Sequence, residues 1–200
     1  MLYECGLLVP HGKRDLRLEI RQFHDPKIAR MALLARMLDA EMYAPTYSIG
    51  TTTVFTSGTA AQTVVGVEST ATDCGLALLA YKVGYAASAA GTGITIRVGS
   101  CTFATNAPGT NSTSVTPVQT SGRTIAATNI TGGVNWTTEP TVKTYLGGGL
   151  IIQPFGGALD EELGTDRELD TFVSGGMGFF LEHTPAAAVS TSGELVVCRI

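Results

Sequence analysis

Between Thr51 and Leu150 the chain carries only seven charged residues in a hundred positions. That deficit constrains the fold more than any motif in the sequence. Disordered chains are rich in charge and poor in hydrophobic residues, whereas this chain is 44% hydrophobic. No apolar run reaches the ~18 residues of a membrane-spanning helix. The segment must therefore fold around a core of its own. Threonine fills 28 of the 200 positions and glycine 24. Threonine is β-branched and suits strands, while frequent glycine opposes long helices.

The strand pattern follows from that text. Apolar and β-branched residues concentrate in Thr52–Thr56, Thr63–Glu68, Leu76–Tyr85, Ile94–Phe103, Ser114–Gln119, Arg123–Ala127, Val142–Pro154, Gly178–His183 and Glu194–Ile200. Gly, Asn, Pro and Ser clusters separate many of them. The cleanest alternation sets Ile94, Ile96 and Val98 against Thr95 and Arg97. Short strands without intervening helices exclude a parallel α/β fold. They predict a mainly β chain, a jelly-roll-like antiparallel sandwich over residues 49–200.

Residues 1–48 read differently. The first fifty residues hold seven Lys/Arg and six Asp/Glu. Asp25-Pro26 has the chemistry of a helix start, a capping carboxylate followed by proline at the first helical position. Ile28, Met31, Ala32, Ala35, Leu38 and Met42 then recur at helical spacing and form one apolar stripe. Ala44-Pro45 disfavours continuation. A single helix of about 17 residues is not stable alone, so Ile28, Met31, Ala35, Leu38 and Met42 are candidate anchoring residues. Asp39 projects onto the stripe and needs a partner if the stripe is buried. Before the helix, Leu16, Leu18 and Ile20 alternate with Asp15, Arg17, Glu19 and Arg21. That period fits an extended arm adding to a neighbour or a strand of the chain's own sheet.

The sequence offers little chemistry. A net charge of −4 opposes a basic nucleic-acid surface. Cys5, Cys74, Cys101 and Cys198 form no C-x-x-C pair, so neither a zinc ribbon nor a dithiol site is predicted. The last three read as buried thiols. The N-terminus lacks the basic region of a secretory signal, which predicts synthesis in the cytoplasm. His11, His24 and His183 share no metal-ligand spacing, and His183 reads as a surface or hydrogen-bonded strand-end residue. Neither a serine-hydrolase elbow nor a phosphate loop is present. Six acids lie between Asp160 and Asp170, with Arg167 the one base among them. They read as a solvated loop or a charged subunit contact, against a calcium loop or a glycosidase acid pair. Asn111, Asn129 and Asn135 each begin an Asn-x-Thr sequon. Trp136 is the single tryptophan, in loop-like text. It is a candidate interface or ligand contact, as a sugar platform, a subunit contact or a structural plug. Tyr145 is a second candidate contact. No catalytic residue, cofactor site or metal site is assigned, and the expected class is non-enzymatic.

A resemblance extends these expectations. Ala80-Tyr81-Lys82-Val83-Gly84-Tyr85, Ile94-Thr95-Ile96-Arg97-Val98 and Thr102-Phe103-Ala104-Thr105 carry its first half. Thr116-Pro117-Val118-Gln119, Gly122-Arg123, Trp136-Thr137-Thr138-Glu139-Pro140-Thr141 and Pro154-Phe155-Gly156-Gly157 carry the rest. The stretch from Leu76 to Gly157 resembles β-rich structural proteins of tailed bacteriophage virions, of the capsid decoration (cement) type. The resemblance implies a jelly-roll-like fold and a homotrimer. It also implies a location on the capsid surface and contact with the major capsid protein or other virion proteins. A carbohydrate- or receptor-binding module of a phage tail or fibre is the alternative. Neither reading involves nucleic acid or a membrane.

Overall fold

A computed structural model describes residues 45–51, 53–71, 75–86, 93–103, 106–122, 129–152, 158–162, 170–171 and 177–199. The predicted arm and helix, with Ile28, Met31, Ala35, Leu38 and Met42, lie outside the described residues, as does the predicted strand Arg123–Ala127. The strands in chain order are β1 (Thr46–Gly50), β2 (Phe55–Ser57), β3 (Gln62–Ser69), β4 (Leu76–Tyr85) and β5 (Ile94–Thr102). Next come β6 (Thr113–Val115), β7 (Val118–Ser121), β8 (Ile130–Val134), β9 (Thr141–Tyr145) and β10 (Leu150–Ile152). β11 (Ala158–Glu162), β12 (Asp170–Thr171), β13 (Met177–Thr184) and β14 (Val189–Arg199) complete the set.

They form two antiparallel sheets in a sandwich-like arrangement. One sheet runs β11-β4-β14-β1-β7, with β12 beside β4 and β2 beside β14. The other runs β10-β5-β13-β3-β8-β6, with β9 also on β5. Alternation places one face of each sheet in a common core. Ile94, Ile96 and Val98 of β5 meet Val65 and Val67 of β3 and Phe179 and Leu181 of β13. Leu195 and Val197 of β14 and Tyr47 and Ile49 of β1 come from the facing sheet. Each is nearly or fully buried.

Where sequence and structure differ, the local chemistry explains it. The predicted strand Ser114–Gln119 splits at Thr116-Pro117, and β6 and β7 join opposite sheets. Proline lacks the N–H that a continuous strand donates. Val142–Pro154 becomes β9 and β10, both paired with β5, so the segment is one edge strand interrupted at Gly147-Gly148-Gly149. β14 starts five residues before Glu194. β1 begins at Thr46 and pairs with β14 and β7, three residues ahead of the expected boundary at 49. β11, read as a loop because of its acids, is an edge strand of its sheet. An edge tolerates charge because one flank faces water.

Candidate functional site

The sheet containing β5 and β13 is apolar on both faces. Opposite the main core, a second cluster joins Cys101, Phe103, Trp136 and Phe180. Two glycines make room for it. Gly66 of β3 and Gly133 of β8 are register partners, and the Trp136 indole lies across both. A Cβ built at Gly66 would stand 2.6 Å from Trp136 Cη2, and one at Gly133 2.8 Å. Trp136 N–H donates to the Thr63 carbonyl at 3.1 Å, and its own carbonyl accepts from Gln62 Nε2 at 2.9 Å. The indole Nε1–H donates to the Asn106 carbonyl at 3.4 Å. Trp136 is 1% exposed. Its assignment as an interface or ligand contact is corrected: the chain itself covers the ring, and the residue is a structural plug.

Beside this cluster lies the densest polar group of the described residues. Lys143 of β9 contacts Glu139 and, at 2.5 Å, Glu182 Oε2 of β13. Its ammonium also sits 4.9 Å from the Phe180 ring centroid. Glu139 fixes the strand below by accepting from the Thr63 N–H at 2.8 Å and from the Thr63 hydroxyl at 2.5 Å. Tyr145 donates its hydroxyl to Glu182 Oε1 at 3.1 Å. Burial lowers the Lys143 pKa, but the hydrogen bonds it donates to both carboxylates, with their negative charges, outweigh it and hold the amine above its usual range. The group is therefore a charged tie between strands rather than a free amine nucleophile.

Tyr145 keeps the exposure expected of a contact residue, 39%. Arg97 lies 5.1 Å over its ring, and Phe180 packs edge-on at 5.4 Å. Along the same edge strand Val142 is 76% exposed, Ile151 72% and Leu150 41%. Thr141 to Ile152 runs along β5 from Thr102 to Ile94, a length of about 26 Å at about 3.3 Å per residue. Val142 has φ +52°, a left-handed conformation that a β-branched residue adopts only under strain.

The outer face of the other sheet is more polar. Asp160, Lys82, Glu194 and Gly50 form one register row across β11, β4, β14 and β1. Lys82 pairs with Asp160 at 3.2 Å, both exposed, and a pair of this kind adds little stability. Ser48 donates to Glu194. An open cleft of about 430 Å³ lies along Ser48, Gly50, Lys82, Gly84, Val118 and Glu194.

Two other sequence readings meet the structure. Among the predicted acidic cluster, Asp160, Glu161 and Glu162 lie on β11, while Asp166, Arg167 and Glu168 are outside the described residues. No group of three His, Cys, Asp or Glu residues positioned for a metal occurs among the described residues. His183 is not a surface residue but fully buried. Its Nδ1 lies 3.1 Å from the Tyr85 hydroxyl, and the two rings stack 5.8 Å apart. Burial, partly offset by the Glu139 charge, pushes its pKa down to about 4. Cys101 is a buried free thiol whose pKa burial pushes up, and Cys198 is buried as well. The Lys143 cluster and the His183–Tyr85 pair left no sequence motif, because their members lie up to about a hundred residues apart. No family model matches the chain, and no curated protein or solved structure matches it.

Proposed function

We propose that this chain is a virion structural protein of a tailed phage, a capsid decoration subunit that acts through protein–protein contacts and not as an enzyme. The reading includes a homotrimer, a position on the capsid surface and a jelly-roll-like sandwich. Strand order supports the last point. Omitting the short strands, one sheet runs β1-β14-β4-β11 and the other β3-β13-β5 followed by the β9–β10 edge. A chain rolled up from two Greek keys gives this order, and capsid proteins and lectins share it. Fold alone does not choose between them.

The observation that carries the assembly reading is the exposed apolar strip of Val142, Tyr145, Leu150 and Ile151. Large exposed apolar side chains gathered along one edge strand mark protein contacts. The carbohydrate- or receptor-binding alternative rests on Trp136, Tyr145 and the Thr/Asn-rich loops, and of these the Trp136 ring is buried. In this proposal the N-terminal stripe of Ile28, Met31, Ala35, Leu38 and Met42 anchors the subunit on the capsid lattice. Repeated attachment makes release slow even when each contact is modest.

The test is binding of the purified full-length protein to capsids lacking it. Met31→Asp with Leu38→Asp is expected to abolish binding without changing the far-ultraviolet circular dichroism of the sandwich. Ile151→Asp with Val142→Asp is expected to convert a trimer to a monomer in sedimentation velocity. Undiminished capsid binding by the first variant refutes the anchoring role. An unchanged sedimentation coefficient in the second refutes the edge contact.

A further inference from the structure

We infer that Tyr85 and His183 form an acid-sensitive latch between the two sheets, whose release opens one end of the sandwich. This inference is independent of the assembly reading. Tyr85 is the last residue of β4, and His183 is the penultimate residue of β13, in the facing sheet. Their hydrogen bond and ring stack therefore cross the core where both strands finish. His183 Nε2 is buried and has no hydrogen-bond partner.

The surroundings decide what protonation does. A neutral imidazole has one N–H and uses Nδ1 for Tyr85, whereas the cation carries N–H groups on both nitrogens. The second N–H then needs an acceptor in the layer between the sheets. On β4 the group facing His183 is the Tyr85 hydroxyl, and burial keeps that phenol neutral. On β14 the register partner of Tyr85 is Thr191, and on β5 the partner of His183 is Ile96. On β3 the partner is Gln62, a neutral amide whose Nε2 is committed to Asn135 and Trp136 and whose Oε1 is buried without a partner and makes no hydrogen bond to the ring. Glu182, next along β13, is tied to Lys143 in the cluster beside Phe180. Glu139, held by Thr63 and Lys143, favours the cation through its charge but is outweighed by burial. Among the described residues no carboxylate is in hydrogen-bond contact with the ring.

The sign follows from linkage. The folded pKa of about 4 lies below the ordinary 6.5, so the opened state binds the proton first. Closure is fully favoured above pH 6.5 and weakens as pH falls toward 4. Between those values the opening equilibrium rises steadily, by about twenty-fold at pH 5 relative to pH 7.

Hydrogen exchange on the full-length protein at pH 7, 6 and 5, corrected for the intrinsic rate, tests this. Amides of Val83–Ala86 and Leu181–Thr184 are expected to exchange about twenty-fold faster at pH 5 than at pH 7. Those of Leu76–Leu78 and Val197–Cys198, at the opposite end, are expected to stay unchanged. His183→Gln keeps a polar partner for Tyr85 but cannot titrate, and should lose the pH dependence. Equal acceleration in that variant, acceleration at both ends, or none at either overturns the latch. If the variant does not fold, the Hε1 resonance of wild-type His183 provides the test. Titration below pH 5 with loss of protection supports the latch, and titration near 6.5 with protection intact overturns it.

Discussion

Gly66→Ala probes the packing that turned Trp136 from a candidate contact into a plug. The added methyl would sit 2.6 Å from Trp136 Cη2, 3.0 Å from Cζ3 and 3.2 Å from Phe103 Cζ. The indole has little room to yield, because its backbone is tied to Thr63 and Gln62 and its Nε1 to Asn106. Overpacking of this kind costs about 1–3 kcal/mol, or about 2–4 °C of melting temperature per kcal/mol at this chain length. Trp136→Phe removes both clashing ring atoms and is itself destabilising through the cavity it leaves. In that background Gly66→Ala should cost almost nothing. The two changes should therefore couple by about 1 kcal/mol or more, read from urea unfolding followed by circular dichroism. Additivity within about 0.5 kcal/mol refutes the claim that the ring needs the bare glycine.

Three further outcomes follow from the described contacts. Lys143→Met strands the buried Glu182 carboxylate and should cost about 3–5 kcal/mol in urea unfolding, with much of the loss recovered on adding Glu182→Gln; a loss below 1 kcal/mol contradicts the tie. Burial raises the Glu68 pKa above 4.5, against a lowering hydrogen bond from Thr131. The unfolded chain therefore releases this proton first, and stability is lost as pH rises through the interval above 4.5. Glu68→Gln should then be the more stable protein at pH 7.5 and lose its advantage at pH 4, as thermal melts at the two pH values would report. In an Ile151→Asp background that lacks the edge contact, Val142→Asn should raise stability by about 1 kcal/mol, because asparagine tolerates the left-handed φ and valine, exposed in the single chain, gives up little packing. A melting temperature at or below that of the Ile151→Asp background contradicts the strain argument.

The sequence carried the core more fully than the surface. Leu76–Tyr85 was legible to the residue, because apolar side chains fill both ends of a central strand. Ile94, Ile96 and Val98 were legible because strict alternation has one physical reading. β8 was missed since Ile130-Thr131-Gly132-Gly133-Val134 pairs a β-former with two glycines, and glycine weakens strands. Its reason became visible only with Trp136 lying on Gly133. β11 was missed because Asp160, Glu161 and Glu162 read as solvated text, and only its edge position accounts for them. Tyr145 kept its expected exposure, but its neighbours Arg97, Phe180 and Glu182 come from two other strands. Composition cannot announce such a meeting. For His183 the hydrogen-bonded strand-end reading holds and the surface one does not, and its partner Tyr85 was not legible because the facing sheet supplies it.

The central claim is that this chain coats a virion by repeated protein contacts. Its most direct test is the copy number and location of the protein in phage particles purified from cells that make it. Quantitative mass spectrometry against the major capsid protein, with antibody labelling in electron micrographs, measures both. The account predicts hundreds of copies spread over the head. A dozen or fewer copies at the tail or neck, or absence from the particle, contradicts it.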